Sequence, residues 1–113
     1  MSPCRVTFFM DDHEAGQGSS VHFNERGMLI TCSKPVQLNK RIRIVLRFTG
    51  IEQPVEMQAV VVWTNLHGPA DNFTPRGMGV KFLNVDRNVE RLLSKLASQY
   101  EAVVGSAYRC YYS

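Results

Sequence analysis

Residues 41–48 read Arg-Ile-Arg-Ile-Val-Leu-Arg-Phe, and that alternation constrains the chain more than any other stretch. Successive side chains on a strand point to opposite faces, so Ile42, Ile44, Leu46 and Phe48 share one face while Arg41, Arg43 and Arg47 share the other. A helix would scatter the same four apolar groups around its circumference. The segment is therefore a strand with one buried and one solvated face. Residues 5–10 (RVTFFM) repeat the pattern with Val6, Phe8 and Met10, and residues 19–23 (SSVHF), 28–32 (MLITC), 55–65 (VEMQAVVVWTN) and 78–82 (MGVKF) complete a set of six strands.

The segments between them carry turn chemistry. Residues 11–18 (DDHEAGQG) are polar and glycine-containing and read as a loop, and residues 24–27 (NERG) read as a tight turn. Residues 33–40 form a connection, because Pro35 cannot donate to a central ladder. Residues 49–54 join two strands, and residues 66–77, with two Gly and two Pro, read as another loop. Short connections favour antiparallel pairing, since parallel strands need long crossovers.

After Phe82 the period changes. Val89, Leu92, Leu93, Leu96, Tyr100 and Val103 recur at three- and four-residue steps, the spacing of an amphipathic helix. Asp86 or Asn84 can cap its start and Gly105 can end it. Six strands with apolar inner faces and no helices between them imply a closed or nearly closed barrel, with the terminal helix sealing it through a Leu92/Leu96 stripe. The fold class is mostly β: a six-stranded antiparallel barrel with a C-terminal α-helix. Residues 1–104 form one domain, and residues 105–113 (GSAYRCYYS) form a tail.

Length and charge narrow the function. A chain of 113 residues fits one domain, and no segment has the ~20 apolar residues of a membrane span. The N-terminus lacks the pattern of a secretory signal, so the expected location is the cytoplasm and no membrane insertion is expected. The net charge of +3 suits phosphate-bearing partners but falls short of a nucleic-acid binder's signature. Cys4, Cys32 and Cys110 are odd in number and form no CxxC pair, which argues against a disulfide framework or a zinc site. Cys32 reads as a buried apolar residue, and Cys4 and Cys110, near the two ends, read as partly exposed thiols.

The run Asn24-Glu25-Arg26-Gly27-Met28-Leu29-Ile30, then RIRIVLRF, then the VVVW block, then Arg76-Gly77-Met78-Gly79-Val80-Lys81-Phe82 ahead of a capped helix resembles the PilZ domain. The resemblance covers about residues 5–100 and rests most on the separation of VVVW and RGMGVKF. It implies a PilZ-like β-barrel, non-catalytic, that binds cyclic di-GMP and passes a signal to a partner. The family's nucleotide site uses an RxxxR motif before the first strand and a [DN]xSxxG motif on the barrel surface. Arginine suits such a ligand because it bonds guanine O6 and N7 bidentately and neutralises phosphate. Here Arg5 matches the second arginine, but Met1 stands where the first would be. With Gly27 at the motif's glycine, His22 takes the Asp/Asn position and Asn24 the serine position. A charged hydrogen bond contributes ~1.5–3 kcal/mol, so one missing arginine weakens binding by about one to two orders of magnitude.

Other clusters carry less. Asp11-Asp12-His13-Glu14 offers metal-binding groups, but consecutive loop residues rarely converge on one ion, so no metal site is expected. His67 has no acid or base partner nearby in sequence. Arg41, Arg43 and Arg47 form either a cationic patch or charges that discourage edge pairing. Tyr108, Arg109, Tyr111 and Tyr112 have the composition of a partner-binding peptide. No nucleophile–base pair or phosphate loop stands out, and no enzyme is expected.

The sequence thus reads as a bacterial signalling adaptor that works by protein–protein contact, with cyclic di-GMP binding weak or lost. By resemblance its partners belong to motility, pilus assembly, exopolysaccharide or virulence regulation, and self-association through the tail fits the same composition. No cofactor is expected beyond cyclic di-GMP as a regulatory ligand. A second reading keeps that nucleotide in a modified site of Arg5, His22, Asn24 and Gly27, with Arg26 replacing the missing arginine. A third, with least support, is a small barrel that binds single-stranded nucleic acid through the RIRIVLRF strand.

Overall fold

Residues 4–65 and 76–104 are described by the computed structural model. The elements run β1 (Cys4–Met10), β2 (His13–Phe23), β3 (Gly27–Thr31), β4 (Arg41–Phe48), β5 (Val55–Asn65), β6 (Gly77–Leu83) and α1 (Arg87–Val104). Every strand pairs antiparallel with two neighbours, in the ring β1-β2-β3-β6-β5-β4 that closes where β4 meets β1 again. Closure satisfies the ladder on both sides of each strand and leaves no edge to protect. The arginines of β4 therefore do not guard an edge, since β4 lies between β1 and β5.

The β4 alternation appears as read: Ile42, Ile44, Leu46 and Phe48 are buried, and Arg41 and Arg47 are exposed. They meet Val6 and Phe8 of β1, Met28 and Ile30 of β3, Val55, Met57, Ala59 and Val61 of β5, and Met78, Val80 and Phe82 of β6 in one core. Cys32 belongs to that core, and so does Cys4, which is 0% exposed and not the partly exposed thiol its terminal position suggests. The β3–β4 connection also reaches in. Val36 is buried, and its N–H donates to Met78 Sδ at 3.4 Å.

Most of the segment read as a loop, residues 11–18, is strand. Asp11 and Asp12 both take positive φ, 51° and 65°, and form a two-residue hairpin turn between Met10 and His13, which pair. Such a turn matches the right-handed twist of its strands, and Asp tolerates the left-handed region better than most residues. From His13 onward β2 runs back along β1, with an irregularity between Phe8 and Phe9. The apolar alternation is missing because β1 fills the space that side chains of β2 would need: a Cβ on Gly16 would lie 2.6 Å from Phe8 Cζ.

The helix starts as the sequence indicates. Asn84, at φ 53°, turns the chain out of β6, and Asp86 is the cap: Asn88 N–H donates to its Oδ1 at 2.7 Å and Glu90 N–H to its carbonyl at 2.9 Å. The helix lies against β2. Its deepest side chains are Leu93 and Ala97, while Val89, Leu92 and Leu96 pack around them half-buried. The sealing face is thus turned one position from a Leu92/Leu96 stripe. The side chains of Tyr100 and Val103, the helix end at Gly105 and the loop at residues 66–75 lie outside the described residues.

Candidate ligand and partner surface

The residues matched to the nucleotide motif fall on the outer side of β1, β2 and the β2–β3 turn. Asn24 organises that turn. Its Oδ1 accepts from Arg26 N–H at 2.7 Å and Gly27 N–H at 3.0 Å, and its own N–H donates to Gly27 C=O at 3.0 Å. An asparagine side chain that mimics a backbone turn in this way is occupied by its own loop. Gly27 answers to packing: a Cβ there would run into the Val80 carbonyl of β6, and Phe82 N–H donates to the Arg26 carbonyl at 2.8 Å. Asn24 therefore serves the β2–β3 turn, and Gly27 the junction of β3 with β6. The Arg26 side chain is exposed.

His22 stands across from Leu29 in the β2–β3 ladder and is half-buried. Burial lowers its pKa from 6.5, because the charged imidazolium loses water there, so the ring is neutral at neutral pH. Its backbone N–H reaches Ser20 Oγ at 3.3 Å, and that hydroxyl donates to the His22 carbonyl at 3.1 Å. Leu29, 4% exposed, pairs in turn with Gly79, over which Trp63 lies at 3.4 Å from where a Cβ would be.

Arg5 sits elsewhere on the surface. It pairs with Ser19 on one side and Arg47 on the other, and Ser19 precedes His22 by three residues, about 10 Å at strand rise. Arg5, Thr7, Gln17, Ser19 and Arg47 line an open concavity of about 460 Å³, completed by Val6 and Gly18. No carboxylate is among them. The sequence placed Arg47 on the outer face but could not bring it to Arg5, because cross-strand register between distant segments leaves no local signal.

The other outward arginines of β4 are engaged differently. Arg43 pairs with Glu56 at 2.5 Å, and its guanidinium stacks 4.2 Å from the centre of the Phe9 ring. Arg41 shares a smaller hollow with Arg43, Asp11, Asp12 and Gln58. Arg41 and Arg43 thus share one neighbourhood with two aspartates, while Arg47 lines another. Among the described residues no group of three or more His, Cys, Asp or Glu is placed to hold a metal ion. No described helix is long and apolar enough to cross a membrane. The tail with Tyr108, Arg109, Tyr111 and Tyr112, and likewise His67 and Cys110, lie outside the described residues.

A search of curated proteins returns no match to the chain. The family model of the PilZ domain does match, over residues 3–99, from the start of β1 through the buried part of α1. That span takes in the whole closed barrel and the helix that seals it, and the chain belongs to the PilZ domain family, whose members are non-catalytic receptor and adaptor domains of cyclic di-GMP signalling.

Proposed function

We propose that this domain is a signalling adaptor that acts by contact with another protein, and that its own affinity for cyclic di-GMP is weak or lost. The observation that carries this reading is the use of Asn24: its amide oxygen is taken by two backbone N–H groups of its own turn. Two further features support it. His22 is neutral and half-buried where the family motif has Asp or Asn, and Arg5 stands about 10 Å along the strand beside Ser19 rather than at the turn. A guanine edge would meet few free partners, and the first arginine of the motif is Met1. Family membership points to partners in motility, pilus assembly, exopolysaccharide or virulence regulation in a bacterial cytoplasm. Tyr108, Arg109, Tyr111 and Tyr112 are the side chains assigned to that contact, since Tyr and Arg dominate interface energetics.

Calorimetric titration with cyclic di-GMP tests the reading. The expected result is no saturable binding in the low-micromolar range. A one-site isotherm there, lost in His22→Ala and retained in Arg47→Gln, would establish the alternative: a receptor using Arg5, His22, Asn24, Arg26 and Gly27.

A further inference from the structure

The pairing of Arg5 with Arg47 needs a physical account. Like charges directly opposite on neighbouring strands are destabilising, and a sheet surface normally interleaves the two signs. Arg43, four residues before Arg47 on β4, shows the usual solution in its pair with Glu56. Among the described residues neither Arg5 nor Arg47 has such an ion pair: the concavity they line holds Thr7, Gln17 and Ser19 and no carboxylate.

We propose that Arg5 and Arg47, with Thr7, Gln17 and Ser19, form a binding site for small phosphate monoesters on the outer face of β1, β2 and β4. Two fixed positive charges match the dianion of a phosphomonoester better than the single charge of a phosphodiester linkage, and guanidinium forks fit phosphate oxygens bidentately. The Thr7 and Ser19 hydroxyls and the Gln17 amide supply donors for the remaining oxygens. The concavity, about 460 Å³, has room for more than a bare phosphate. Apart from the buried Val6 its side chains are polar, with no aromatic ring, so the body of the ligand is hydroxylated rather than a stacked base. A sugar phosphate is the class that fits. Arg47 comes from β4, outside both nucleotide motifs, and the site does not depend on the adaptor reading: neither His22 nor Asn24 takes part.

Glucose 6-phosphate is the probe, titrated by calorimetry against the full chain at low ionic strength. The expected dissociation constant is on the order of 0.1–1 mM. Glucose 6-sulfate, a monoanion of the same shape, should bind at least about tenfold more weakly, and Arg5→Gln and Arg47→Gln should each weaken the phosphate ester by about tenfold or more. Thermal denaturation keeps the result independent of folding defects. Without ligand, either substitution should hold or raise the melting temperature, because it relieves the facing charges, and the ester should raise that of the wild type alone. Equal affinity for sulfate and phosphate esters, unchanged binding in both variants, or no saturation would overturn the proposal. So would binding of a phosphoserine peptide at least about tenfold tighter than the sugar phosphate, which would make the site one for a protein.

Discussion

Burial pushes the Cys4 thiol up to about 12 and that of Cys32 to about 11, because a thiolate in the apolar core would lose its water. Unfolded thiols ionise near pH ~8.5, so the unfolded state releases protons there that the folded state keeps. The stability these groups contribute is complete below that pH and declines as pH rises toward their folded values, by up to about 1.4 kcal/mol per pH unit for each thiol. Urea unfolding between about pH 8 and pH 9.5 should show the decline, and Cys32→Ala should make it shallower. Iodoacetamide at about pH 8 should label neither Cys4 nor Cys32 in the folded protein, since neither is exposed or ionised. His22 works in the other direction: its depressed pKa contributes stability that is present above 6.5 and lost as pH falls below it. Asn24 gives the clearest substitution at this scale. Asn24→Ala strands the N–H groups of Arg26 and Gly27 and should cost ~1–2 kcal/mol in denaturant unfolding, whereas Asn24→Asp keeps the acceptor and most of the stability.

Among the elements, the helix is held by Leu93 and Ala97, and its substitutions should rank accordingly. Leu93→Ala should cost ~2–5 kcal/mol, while Leu92→Ala and Leu96→Ala, half-buried at its flanks, should each cost less. Asp86→Ala should remove about 1 kcal/mol through the lost cap. Chemical denaturation of the four variants checks the order, and equal losses at Leu92 and Leu93 would contradict the packing described. The helix itself, its cap and its apolar side were legible because a three-to-four-residue period is a property of the chain alone. Its centre was not, because Ala97 is too small to mark a face and only the barrel beneath decides which of Leu92 and Leu93 points deepest. The same reasoning separates the two halves of β2. Residues 19–23 carry strand formers and were readable, but residues 13–18 are polar or glycine, since the Phe8 ring takes the room opposite Gly16. A strand whose inner positions are filled by its neighbour has no period of its own to read. The Asp11-Asp12 turn is equally faint, because positive φ at two successive Asp residues carries less signal than Asn-Gly or Asp-Gly.

At the scale of the molecule, the closed ring decides how the domain can meet others. The motif turn was legible, since Asn24 and Gly27 lie three residues apart and act locally. The Arg5–Arg47 neighbourhood was not, since it exists only once β4 returns to β1. That return also removes every free strand edge, so a second chain cannot join by adding a strand, and association has to run through side chains on faces or through segments outside the barrel. Among the described residues the last members of the core are Leu96 and Ala97. On the proposal that residues 105–113 serve contact with another chain, their deletion should leave the melting temperature nearly unchanged. If Tyr108, Arg109, Tyr111 and Tyr112 anchor the chain on a partner or on a second copy, as proposed, the same deletion should reduce the sedimentation coefficient at high protein concentration or weaken capture of a purified partner. The two measurements separate the cases. A sharp fall in melting temperature with association untouched would place the tyrosines against this domain's own barrel and remove them from the interface. A stable, fully dispersed truncated protein would leave them as the surface through which the adaptor acts.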